Sequence, residues 1–209
     1  MNPLLIALLG VMLVPLFVAT WRTSLLGLSG QGLLMALIAS SLIEGPSAVG
    51  DWITLVDLGL VRGLVVPVAL YLVVRRQDVP ARLDVIPPTL LSWSVALGMV
   101  LGAFNVAQIL VTPAGEQQTL VAVATAGFLL GFLVLVTRGS TLSQIIGALR
   151  IENAIALLEL GGGRHHADPI VQAGLLVVFV ITVGFFRWYL ATVPGRAVAT
   201  PAAVEGPTL

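Results

Sequence analysis

Glu152 is the residue in this chain best placed to do chemistry. It lies with Arg150 and Asn153 inside the apolar run Thr137–Leu160, TRGSTLSQIIGALRIENAIALLEL. A charged side chain at mid-bilayer costs at least about 2.5 kcal/mol on insertion scales, so it usually faces a protein interior or a water-filled cavity. Glu152 falls about twelve residues into its helix, roughly 18 Å along it at 1.5 Å per residue, which is close to the midplane. A carboxyl group that passes there between neutral and charged forms is what a proton relay needs. The plainer reading is a hydrogen-bonded structural carboxyl.

Its charged neighbours leave several pairings open. Arg150 and Glu152 are two positions apart, about 200° around one helix, so each looks toward a different neighbour. Arg62 lies midway along another apolar run, LVDLGLVRGLVVPVAL. It can pair with Glu152 across helices. Asp57 is a second acid for either Arg62 or Arg150. Either arginine can equally be a static charge clamp. Pro67, five positions after Arg62, removes a backbone hydrogen bond and favours a kink. Gln31, Asn105 and Gln108 (at i, i+3), Gln144 and Gln172 form a candidate polar path, or separate interhelical hydrogen bonds. Glu159 follows Glu152 on the same face, nearer a helix end, as an entry group or a solvated terminus.

Other chemistries find no support. Gly161–His166, GGGRHH, holds adjacent histidines with no third in the chain, a weak metal site that reads better as a plain loop. No serine comes with a histidine and an acid at credible spacing, and no nucleotide-binding loop is present. The chain has no cysteine, which excludes disulfides and thiolate metal ligation. Formal net charge is zero, so a basic nucleic-acid surface is not expected. No cofactor is expected in this chain, and it is not expected to catalyse a reaction alone.

The elements that position these residues are membrane helices. Of 209 residues, 58% are hydrophobic and only 10% are charged, with mean hydropathy +1.06. Soluble domains carry about 25% charged residues, so an all-α integral membrane protein is expected. Spanning takes about 20 apolar residues. Seven runs qualify, near Pro3–Thr20, Ser24–Ile43, Trp52–Val74, Pro88–Val111, Thr119–Val136, Thr141–Leu160 and Pro169–Leu190. The first lacks a basic start and a clean cleavage site, so it reads as a helix rather than a signal peptide. Arg22, Arg75, Arg76, Arg82, Arg138, Arg187 and Arg196 fall on one side of a seven-span topology and only Arg164 on the other. The positive-inside rule then places the N-terminus outside and the C-terminus in the cytoplasm. Trp21, Trp52, Trp188 and Tyr189 fall at span ends, as an aromatic belt would have them. Residues 1–192 form the membrane domain. Residues 193–209, rich in Ala, Pro and Val, read as a disordered cytoplasmic tail. Thr20-Trp21-Arg22 and Thr137-Arg138 precede similar helix starts, which suggests a parallel repeat of helices 1–3 and 5–7.

Ser143-Gln144-Ile145-Ile146-Gly147 followed by Arg150-Ile151-Glu152-Asn153-Ala154 resembles the second-half signature of the hydrogenase-4 component E family. That family comprises NuoK-like membrane subunits of complex-I-related hydrogenases and formate hydrogenlyases. The resemblance covers most of Met1–Leu190, and its specific part is Arg138–Leu160. It implies seven spans, a role in proton translocation coupled to electron transfer in partner subunits, and Glu152 as the relay. It also implies antiporter-like and arm-anchoring membrane partners, and a prokaryotic cell membrane. Gln31 sits where the family has a glutamine, and Arg62 and Pro67 where it has a lysine and a proline. Gln172 and Val178 stand where the resemblance implies a Glu and an Asp, and Arg62 stays charged where a lysine could titrate. A non-conducting assembly subunit and a stand-alone small transporter are the alternatives.

Overall fold

The computed structural model describes residues 2–17, 20–43, 49–76, 90–112, 115–162 and 169–192. The elements among them are helices: α1 Pro3–Phe17, α2 Trp21–Leu42, α3 Val49–Arg76, α4 Leu90–Leu110, α5 Glu116–Thr137, α6 Thr141–Gly161 and α7 Pro169–Thr192. Six of them, α2 to α7, are long and apolar enough to cross a membrane. α1 has 15 residues, short of the about 20 that a span needs. The chain is an all-α, multi-pass membrane protein. The expected tail at 193–209, the loop residues 77–89 and the His165–His166 pair lie outside the described residues.

Two helix starts are set by side-chain caps. Thr20 Oγ1 accepts the Thr23 N–H at 3.3 Å and opens α2. Ser140 Oγ accepts the Ser143 N–H at 3.3 Å and opens α6. Each satisfies one of the donors that a helix N-terminus leaves free. The turn between α5 and α6 holds a difference from the sequence reading. Arg138, expected to mark a cytoplasmic loop, is only 4% exposed. Its Nη2 donates to the Leu16 carbonyl at 2.9 Å. That carbonyl is among the last of α1, where a helix leaves acceptors unfilled and a cation is favoured.

Small residues fix the close helix pairs. A Cβ on Gly32 of α2 would lie 2.6 Å from the Gly63 backbone nitrogen of α3. A Cβ on Gly147 of α6 would meet the Leu135 nitrogen of α5 at 3.0 Å. Membrane helices without a hydrophobic driving force pack best through such approaches.

α3 is not uniform. Residues Val56–Val65 form a π-helical segment, closed by the Val66 N–H to the Val61 carbonyl. Pro67 follows two residues later. It has no N–H to donate, and its ring crowds the carbonyl four residues back. That carbonyl belongs to Gly63, and the Ser29 hydroxyl of α2 donates to it. The proline's missing bond is thus made good from the neighbouring helix.

The apolar interior divides along three helices. Leu25 and Leu28 of α2, Val66 and Leu70 of α3, and Ile146 and Leu149 of α6 belong to one cluster. Met35 and Ile38 of α2, Leu58 of α3, and Leu157 and Leu160 of α6 belong to another. Between them each helix carries a buried polar residue: Gln31, Arg62, and Arg150 with Asn153.

Candidate functional site

The polar layer at mid-height of the bundle is the candidate site, and Arg62 is its centre. Arg62 Nε donates to Asp57 Oδ2 at 2.9 Å, the ion pair found among the described residues. Arg62 Nη1 donates to Asn153 Oδ1 of α6 at 3.2 Å. Its guanidinium carbon lies 3.9 Å from the ring centroid of Phe179 of α7, a cation–π contact. One side chain therefore ties α3 to α6 and α7.

Local geometry explains the pairing. In an α-helix, residues five apart point about 140° away from each other. A π turn closes on i+5 instead. The π segment Val56–Val65 so brings Asp57 under Arg62. Breaking a buried pair of this kind costs about 3–5 kcal/mol, because it strands a charge.

Arg150 faces elsewhere, as two positions of helix rotation require. It is 4% exposed, and its Nη1 donates to the Met12 carbonyl of α1 at 3.3 Å. Glu152 is half-buried. It is not in the Arg62 ion pair, which Asp57 makes. Its chain neighbour Asn153 takes the Arg62 contact instead.

A cavity of about 140 Å³ opens from the layer toward the end where α3 and α7 begin. Asp51, Thr54, Asp57 and Arg62 of α3, Glu159 of α6 and Gln172 of α7 line it. About 10–15 Å³ of such space suffices for one water, so it has room for several. Asp57 Oδ1 and Gln172 Oε1 are buried there without a partner among the described residues. Deeper in the bundle the orphaned atoms are donors: Gln31 Nε2, Asn153 Nδ2 and Arg150 Nε.

The candidates from sequence thus fall into three groups. Arg62, Asp57, Glu159 and Gln172 meet at the cavity. Gln31, Arg150 and Glu152 lie on the helices that carry the layer, α2 and α6. Asn105 and Gln108 are exposed on α4, away from the layer, and Asn105 Nδ2 bonds back to the Leu101 carbonyl at 3.0 Å. Gln144 is exposed and caps the α5–α6 turn through the Arg138 carbonyl at 3.3 Å. Sequence reasoning gave no site role to Asn153 or Phe179. The i, i+3 spacing of Arg150 and Asn153 was the available signal for the first. Nothing in the sequence marks Phe179.

Residues 119–193 match the family model described as NADH-ubiquinone/plastoquinone oxidoreductase chain 4L. No curated protein and no solved structure matches the chain. The matched stretch takes in α5, α6 and α7, and with them Arg150, Glu152, Asn153 and Gln172, while Gln31, Asp57 and Arg62 precede it. On that match, the stretch α5–α7 is similar to the NuoK-like membrane subunits of complex I.

Proposed function

We propose that this chain serves a complex-I-like oxidoreductase of the hydrogenase-4 or formate-hydrogenlyase type, in a prokaryotic cell membrane. There it contributes to proton translocation driven by electron transfer in partner subunits. The observation that carries the reading is the place of Glu152. It lies in the matched stretch, half-buried on α6, next to the residue that binds Arg62. An acid within an apolar helix, next in sequence to the Asn153 that binds Arg62, is suited to passing a proton in and out of the layer. Antiporter-like and arm-anchoring membrane subunits are the proposed partners. The exposed Asn105 and Gln108 of α4 support such contacts, since amides facing lipid are costly and a partner helix satisfies them.

The test is Glu152→Gln in the intact complex. The complex is expected to assemble and carry electrons while coupled proton movement is lost. Unchanged translocation in that variant sinks the relay.

One observation favours a second reading, a non-conducting assembly subunit. Gln172 lines the cavity at a position where the resemblance implies an acid, and an amide takes up no proton at ordinary pH. Under that reading, deletion of the chain prevents assembly and Glu152→Gln is harmless.

A further inference from the structure

We infer that the cavity at the α3–α7 mouth is a water-holding vestibule and that Asp57 is the group that takes a proton from it. This rests on the proton-moving reading above and names a residue outside the family match. The vestibule's two orphaned atoms, Asp57 Oδ1 and Gln172 Oε1, are both acceptors. A buried acceptor left without a donor costs about 1–3 kcal/mol. Water is the donor that fits a polar space of this size. Of the carboxylate's two oxygens, Oδ2 accepts from Arg62 Nε at 2.9 Å, while Oδ1 is buried without a partner on a residue that lines the cavity.

The charges around it define the step. Asp51 of α3 and Glu159 of α6 line the same space and draw cations to the mouth. Arg62 closes the inner wall and turns a bare cation back. α7 offers the neutral Gln172. A hydronium in the vestibule passes its proton to Asp57 Oδ1. One O–H bond forms on the carboxyl, one breaks on the hydronium, and a water remains. Protonation removes the charge that Arg62 pairs with, while Asn153 Oδ1 and the Phe179 ring still hold the guanidinium. Arg62 is the positioning residue and Asp57 the acceptor.

The chain has no cysteine, so single cysteines in it report alone. Thr54→Cys and Gln172→Cys, in the full chain in membrane vesicles, are treated from each face with a membrane-impermeant cationic methanethiosulfonate. Both are expected to label fully, from one face only. Core Ala124→Cys and lipid-facing Leu97→Cys stay unlabelled. Protection of both vestibule cysteines from both faces overturns the vestibule. Infrared difference spectra of the full chain between acidic and neutral buffer read the proton itself. Other acids contribute to the protonated-carboxyl region as well, so the band that counts is the component of a buried carboxyl: it is expected in the wild type and in Glu152→Gln, lost in Asp57→Asn and shifted in Asp57→Glu. A band unmoved in Asp57→Glu, or lost in Glu152→Gln instead, overturns the role of Asp57. Loss of the band in Asp57→Asn supports it even where Glu152→Gln leaves translocation unchanged, so the two readings fail separately.

Discussion

The triplets α1–α3 and α5–α7 run in the same order but are held together differently. In the first, the third helix is pinned to the second. Gly32 and Gly63 bring their backbones together, and Ser29 holds the Gly63 carbonyl. In the second, α5 and α6 are the tight pair, and α7 makes little contact with α6. Over their most apolar windows, α6 is 56% buried and α7 only 11%. Phe179 on Arg62 is among the few anchors of α7. The matched family stretch ends on this loosely held helix. The lesson is a division of labour: the first triplet carries the Asp57–Arg62 ion pair, and the second contributes Asn153 and Phe179 to it while presenting an open face to its surroundings.

Substitutions can break or sharpen that contrast. Asp57→Asn leaves Arg62 without its ion pair, and the full chain in detergent is expected to lose about 3–5 kcal/mol of stability. Adding Arg62→Met should recover most of the loss in the same melting experiment. If it does not, the pair is not what holds α3. Gly32→Val forces α2 and α3 apart, at about 1–3 kcal/mol for overpacking, read by the same melts. Ser29→Ala strips the donor from the Gly63 carbonyl and should cost about 1 kcal/mol. The smallest effect is expected in α7, where Gly174 and Gly184 have open space around a built Cβ. Gly174→Val and Gly184→Val should change the stability of the separate chain by no more than about 0.5 kcal/mol. Recovery of the assembled complex from membranes should fall instead. A loss in the separate chain equal to that of Gly32→Val would erase the difference between the triplets.

Much of the scaffold was legible because span length and apolar content are coarse signals. The seven apolar runs reappear as α1 to α7 within a few residues, although α1 is shorter than its run. The charge centre was only half legible. Asp57 stood among the possible partners of Arg62, but α-helical rotation places them on different faces. Only the π segment joins them, and its apolar sequence, VDLGLVRGLV, carries no periodicity to betray a change of register. Arg138 lies in the α5–α6 turn where the sequence put it, but the burial of its side chain was not legible. A loop arginine reads as a topology marker, whereas here its side chain folds inward onto α1. Asn105 and Gln108 read as interior polar groups, yet α4 turns that face outward.

The buried arginines have an electrical consequence. Arg62, Arg138 and Arg150 are all shut away from solvent, and a guanidinium does not give up its proton in a protein. The charge of Arg62 is offset by Asp57, whereas Arg150 meets a neutral carbonyl and adds positive charge to the bundle interior. A voltage of 100 mV acts on each elementary charge with about 2.3 kcal/mol across the full thickness. Charges at intermediate depth feel a corresponding fraction of that drop. The hydrogen bonds of Arg62 to Asp57 and Asn153, and of Arg150 to Met12, are therefore mechanical tethers as well: they hold the interior still while the membrane is energised.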